Sequence, residues 1–158
     1  MKAEENFCEL SVSVQEQDFD LKSEIDNLKS RDKNFGGLVS FLGQVRDAEQ
    51  TDKTLLYLEL EHYPHMTENE IISICNHAKS KWQLHAIRVI HRVGKLIPGD
   101  NIVLVLVASS HRKEAFKAAE FIMDFLKSRV PIWKKEYYKG DSFWVKSKKS
   151  DRESLSKW

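Results

Sequence analysis

Cysteine is scarce in this sequence: Cys8 and Cys75 are the only two in 158 residues. They lie far apart and belong to no CxxC pair or Cys/His spacing, which argues against a disulfide framework, a zinc module and a persulfide-carrying thiol. Cys75 falls on the apolar side of a predicted helix, where a free cysteine acts as a small buried hydrophobe, and Cys8 reads as incidental. Long hydrophobic runs are missing too. None approaches the roughly 18 residues of a membrane-spanning helix, and the longest, 102–108, has the length of a buried strand. The acidic residues 1–10 lack the apolar region of a secretory signal. The expectation is a soluble, cytoplasmic protein with no membrane partner. A G-x-S-x-G elbow, a Walker loop and a Rossmann fingerprint are likewise absent.

What is present fits one compact domain over 1–158, with 41% hydrophobic and 31% charged residues. Asp20 can cap a short helix whose Leu21, Ile25 and Leu28 share one face. Gly36-Gly37 opens a strand over 38–46, and a polar loop over 47–53 leads to a second strand over 54–62. Thr67 with Glu70 reads as a capping box, and Met66 with Ile71 as a hydrophobic staple, for a helix continuing to Trp82. Strands follow at 86–93 and 102–108, separated by the turn Pro98-Gly99-Asp100. A helix over 112–129 sets Lys113, Lys117, Glu120, Asp124 and Lys127 on one face. Ala115, Phe116, Ala119, Ile122, Met123 and Leu126 cover the other. Short strands are expected at 132–138 and 143–146. The order β-β-α-β-β-α-β-β after a leading helix region (1–35), with a polar tail (147–158), indicates an α+β fold with a largely antiparallel sheet and packed helices.

The net charge of +1 hides an uneven distribution. Residues 127–149 hold eight Lys/Arg against two acids, so this stretch carries +6 and the remainder −5. A basic zone on an otherwise acidic chain suits a small anion or one acidic partner better than a nucleic acid. Polar residues at element ends are the candidate site. Arg46 closes the first strand beside a loop. Ser109-Ser110-His111-Arg112 joins the most buried strand to a helix start, where free N–H groups, a serine cap and an adjacent His and Arg favour an anion. Lys127 lies near the end of that helix, where the dipole favours a cation. In Pro131-Ile132-Trp133-Lys134-Lys135-Glu136, strand alternation puts Lys134 and Glu136 on one face and Lys135 on the other. A partly desolvated lysine among cations can lose its proton near neutrality and act as an acid, base or amine nucleophile. His62, His65 and His91 have no partners at a metal-ligand spacing and read as structural, so no metal or cofactor is expected.

Five segments taken together resemble the large, catalytic subunits of molybdopterin synthases: GGLVSFLGQVRD (36–47), LELEHYPHMTENEI (58–71), VIHRVGKLIPGD (89–100), SSHRKEAFKAAEFIMDFLK (109–127) and PIWKKE (131–136). Each segment is weak alone, but the ordered combination is specific. The resemblance implies a hammerhead-like α+β fold and a sulfurtransferase of molybdenum cofactor biosynthesis. Its substrate is cyclic pyranopterin monophosphate. Its sulfur comes from the C-terminal Gly-Gly thiocarboxylate of a small ubiquitin-like partner, and its assembly is a heterotetramer around a dimer of large subunits. Lys127 and Lys134 match the family's catalytic lysines, and Arg46, His111, Arg112, Lys135 and Glu136 match substrate-binding positions. The missing catalytic cysteine then makes sense, because the nucleophilic sulfur belongs to the partner. Two other classes stay open on residues alone: a basic nucleic-acid-binding module using Trp133 or Trp144 for stacking, and an inactive scaffold that only docks a ubiquitin-like protein. One geometric expectation follows from helix rise. Arg112 and Lys127, if on one helix, stand some 22 Å apart at about 1.5 Å per residue. A single monophosphate pterin does not span that, so the site is expected to draw on two copies of the chain.

Overall fold

The structure, a computed structural model, describes residues 7–47 and 53–158. Residues 1–6 of the acidic start and residues 48–52 of the expected polar loop lie outside them. Eight strands form two four-stranded sheets. The first, in the order β1-β4-β6-β2, contains β1 (Glu9–Gln15), β4 (Ala86–Arg92), β6 (Asn101–Ser109) and β2 (Gly37–Gln44). The second, in the order β5-β3-β7-β8, contains β5 (Gly94–Leu96), β3 (Tyr57–His62), β7 (Ile132–Tyr138) and β8 (Asp141–Val145). All pairings are antiparallel except β1 with β4. The expected α+β class is borne out, with the antiparallel strands divided between two sheets.

Strand β6 is central because it is apolar on both faces. Val103, Val105 and Val107 point to one side, where α2 (Met66–Lys81) and α3 (Arg112–Arg129) supply Ile71, Ile74, Cys75, Ala118, Phe121 and Ile122. Leu104, Leu106 and Ala108 point to the other, which α1 (Leu21–Arg31) covers through Leu28 with Leu21 and Ile25. Leu104, Leu106 and Ile122 are fully buried, so truncating any one to alanine should cost about 2–5 kcal/mol. Asp20 caps α1 as expected, its side chain accepting the Ser23 N–H at 2.7 Å. A second core beneath the other sheet gathers Val45, Leu58, Leu60, Leu96 and Tyr138.

Four local expectations are corrected. Thr67 does not cap α2: His65 holds that position at φ 68° with no side-chain cap. Thr67 is buried instead, its hydroxyl accepting from the Tyr63 N–H and donating to the Pro131 carbonyl, both at 3.1 Å. This tertiary bridge to the start of β7 displaces the local cap. Glu70 pairs with Arg129 of α3 at 3.1 Å, and Met66 is exposed, so there is no staple. Phe116, assigned to the buried face of α3, is 62% exposed, with Ala118 and Phe121 in the core. At the start of α3, Ser109 donates to the Gln83 carbonyl and Ser110 bonds His85, so neither serine caps the helix. Strand β1 was not anticipated, although Leu10, Val12 and Val14 alternate toward the α2–α3 core.

The tail after β8 is also structured. A short helix α4 (Lys149–Glu153) and a 3-10 turn, 154–157, return the chain to α3. There Trp158 packs edge-on against Trp82 and Phe121 and donates its indole N–H to Asp124 at 2.8 Å.

Candidate active site

Strand alternation builds one wall of an open cleft of about 270 Å³. Lys134, Glu136 and Tyr138 project from the same face of β7, and Gln44, Val45, Arg46 and Asp47 enter from the irregular end of β2. A register shift at Gly43/Gln44 ends the β2 ladder there, turning the chain so that Val45 is buried while Arg46 reaches the cleft. Leu58, Ile102 and Val145 give apolar walls, and Lys148 of the tail closes the rim.

The electrostatics centre on Lys134. Burial pushes its ammonium below the ordinary lysine range. Glu136 opposes that shift, while the positive charges of Lys127, Lys148 and Arg46 reinforce it. Glu136 is positioned by Tyr138, whose hydroxyl donates to its carboxylate at 2.8 Å. Burial, then that carboxylate, push the Tyr138 hydroxyl up to about 12, so the phenol stays a donor at physiological pH.

Of the residues anticipated from sequence, Arg46, Lys134 and Glu136 line this cleft, and Lys127 is near enough for its charge to act on Lys134. Lys135 is not brought in. It lies on the opposite face of β7, its ammonium 5.1 Å from the Tyr137 ring centroid and 5.3 Å from that of Trp144. His111 and Arg112 are at the far end of α3. His111 lines a separate hollow of about 270 Å³ with Lys81, Trp82, Gln83, Ser109, Ser110 and Glu114. Tyr138 and Lys148 are among the cleft residues that the sequence reading did not single out. Tyr138 carries the same strand parity as Lys134 and Glu136 and was legible in principle. Lys148 follows the last strand in a charged stretch with no periodicity to single it out.

The model of the family described as MoaE protein matches residues 14–129. The chain belongs to the MoaE family. It is 46% identical over 147 residues to a molybdopterin synthase catalytic subunit of Vibrio cholerae, covering 93% of this chain and 97% of that one. Among solved structures, a MoaE protein of Burkholderia ambifaria superposes with a TM-score of 0.81 at 39% identity, over 94% of this chain and 97% of that one. A molybdopterin synthase of Staphylococcus aureus gives 0.77 at 30% identity, over 84% and 95%. The resemblance read from the five motifs is thus borne out at the level of family and fold. Within MoaE, this chain presents its basic cleft on β7 and the end of β2, with the helix-start motif at the opposite end of α3.

Proposed function

We propose that the cleft is where this MoaE chain transfers sulfur onto cyclic pyranopterin monophosphate, as the catalytic subunit of a molybdopterin synthase. The observation that carries the reading is Lys134: a lysine held below its usual range, beside a carboxylate and among three further cations. Such a group gives up its proton more readily than an ordinary lysine, and its cationic neighbours suit an anionic substrate and a thiocarboxylate. The sulfur donor is the C-terminal thiocarboxylate of a small ubiquitin-like subunit. Its sulfur attacks a pterin carbon, forming the C–S bond as that carbon's bond to its oxygen substituent breaks and the oxygen leaves protonated. Water then adds to the acyl carbon, the acyl C–S bond breaks, the sulfur stays on the pterin and the partner's C-terminus leaves as a carboxylate. Lys134 and Lys127 handle the protons of these steps, and Arg46 and Glu136 hold the substrate. The name of the relatives, catalytic subunit, fits an enzyme with such a second component.

His111 and Arg112 bind the substrate phosphate. Because α3 runs unbroken over Arg112–Arg129, they serve a cleft containing Lys127 only if it belongs to a second copy. A two-fold pair of large subunits satisfies that geometry, with one small subunit at each end of the assembly. Residues 1–158 act as one domain in this reading, the tail included, since it contributes Lys148. A cytoplasmic reaction is part of this proposal. Separately, no helix of the described residues is long and apolar enough to cross a membrane.

The test is turnover with thiocarboxylated partner. Lys127→Ala and Lys134→Ala should each remove most sulfur transfer with an unchanged circular dichroism spectrum, because Lys127 is exposed near the end of α3 and the Lys134 side chain opens into the cleft rather than the core. Normal activity in either purified variant would sink its catalytic role.

A further inference from the structure

A relay of three side chains outside the cleft converges on the start of α3. The His85 ring lies between Asp32 and Ser110, with Nδ1 2.7 Å from Asp32 Oδ2 and Nε2 2.9 Å from Ser110 Oγ. The histidine is fixed at both backbone ends: its N–H donates to the Ala108 carbonyl and its carbonyl accepts from the Glu9 N–H. Asp32 terminates α1 and also accepts the Asn34 N–H at 2.7 Å. That bond, followed by the one from His85, holds its carboxyl below the usual range, so Asp32 remains an anion. Ser110 is exposed and immediately precedes His111 and Arg112.

Aspartate, histidine and serine at a strand-to-helix junction also describe a hydrolase nucleophile. The strained turn that exposes such a serine is missing, because among the described non-glycine residues only His65 has a positive φ. The relay instead has two proton arrangements. With Nδ1–H donating to Asp32, a neutral His85 leaves Nε2 as an acceptor, and the Ser110 hydroxyl must point its proton inward. When Nε2 gains a proton it donates to Ser110 Oγ, and the hydroxyl proton turns outward to donate to an anion. One proton is taken from solvent and no covalent bond to carbon changes.

We propose that Asp32, His85 and Ser110 are positioning residues that couple binding of the substrate phosphate at the start of α3 to uptake of a proton by His85. The proposal rests on the reading that His111 and Arg112 hold that phosphate. Charged groups come to the relay from three helices. The end of α1 gives Asp32, with Arg31 beside it in sequence and paired with Glu9 of β1. The end of α2 gives Lys81 and the first turn of α3 gives Glu114, both lining the hollow shared by Ser110 and His111, and Arg112 follows His111. A bound phosphate adds negative charge and an acceptor for Ser110, and both favour the imidazolium. By reciprocity, protonation of His85 must tighten phosphate binding, and affinity should fall by up to about tenfold per pH unit as His85 loses its proton.

The experiment is calorimetric titration of the full-length protein with cyclic pyranopterin monophosphate, in two buffers of different ionisation enthalpy, across pH 5.5–8.5. The expected result is uptake of up to about one proton per site, abolished in His85→Gln and Ser110→Ala and reduced in Asp32→Asn, with thermal melts checking the fold of each. Subtracting the His85→Gln titration removes protons contributed by the substrate itself. If uptake persists unchanged in His85→Gln while Arg112→Ala still weakens binding, the relay is wrong and the phosphate reading stands. If Arg112→Ala leaves the affinity untouched, the phosphate does not sit here and both fall.

Discussion

Glu136→Gln tests the electrostatics of the cleft more sharply than any deletion. Glu136 is the group that opposes the downward displacement of Lys134, so neutralising it should lower the lysine further. An opposite charge within about 4–6 Å is worth 1–3 pKa units. The cleft is open to water, so the lower end applies, about 1 unit, equivalent to about 1.4 kcal/mol between the two protonation states. Glutamine keeps a carbonyl oxygen for the Tyr138 hydroxyl, which now bonds Glu136 at 2.8 Å, so no buried donor is orphaned. The assay is kcat/KM for sulfur transfer against pH, which reports the free enzyme. If the neutral amine acts, the acid limb moves down by about 1 unit; if the ammonium acts, the alkaline limb does. Lys148→Met provides the opposite sign, because it removes one of the cations that lower Lys134, and the same limb should move up. A limb that stays fixed in both variants, or moves up in Glu136→Gln, would refute the assignment of that limb to Lys134.

Further outcomes test the fold and the assembly. Thr67→Val keeps the shape but strips partners from the Tyr63 N–H and the Pro131 carbonyl; urea unfolding should show a loss of about 2 kcal/mol, and no measurable loss would show that the bridge matters little. His91 is pushed down to about 4, by burial first, while the unfolded chain titrates near 6.5. Between those values the unfolded state binds more protons, so stability should fall as pH drops through the window, by up to about 3 kcal/mol in total. His91→Asn should flatten that dependence in denaturation at pH 7 and pH 4.5, and an unchanged slope would count against it. Mixing Arg112→Ala with Lys127→Ala chains should restore activity to mixed dimers. Confirmed subunit exchange without recovery would place the whole site within one chain.

The core was legible because burial writes itself into periodicity. The 3.6-residue stripe of α3 and the apolar run of β6 admit few alternatives, and both lie where the spacing placed them. Errors fell where a tertiary partner outbid a local signal. Thr67-x-x-Glu70 satisfies every local rule for a cap, yet Pro131 and Arg129, some sixty residues on, claim both side chains. Lys135 shows a different limit. Its parity was read correctly, but matching motifs carried it into the site with Lys134, whereas adjacent strand residues face opposite ways. The terminal Trp158 was passed over as part of a polar tail because one aromatic has no period; only its packing on Trp82 and Phe121 reveals an anchor.

That anchor bears on the chemistry. The tail is held at one end by β8, whose Val145 pairs with Lys134, and at the other by Trp158 and Lys157 on Asp124 of α3. Lys148 lies between these two fixings and lines the cleft. Its position at the cleft is therefore set by packing at both ends, while its side chain stays exposed to solvent. Helix α3 links the same parts: Lys127 acts on Lys134 near its C-terminal end, Asp124 and Glu120 grip the tail one and two turns earlier, and Arg112 marks its start. A rigid rod of this length cannot bend its start toward its own end, and in the proposed assembly a two-fold partner would supply the missing end without deforming either helix.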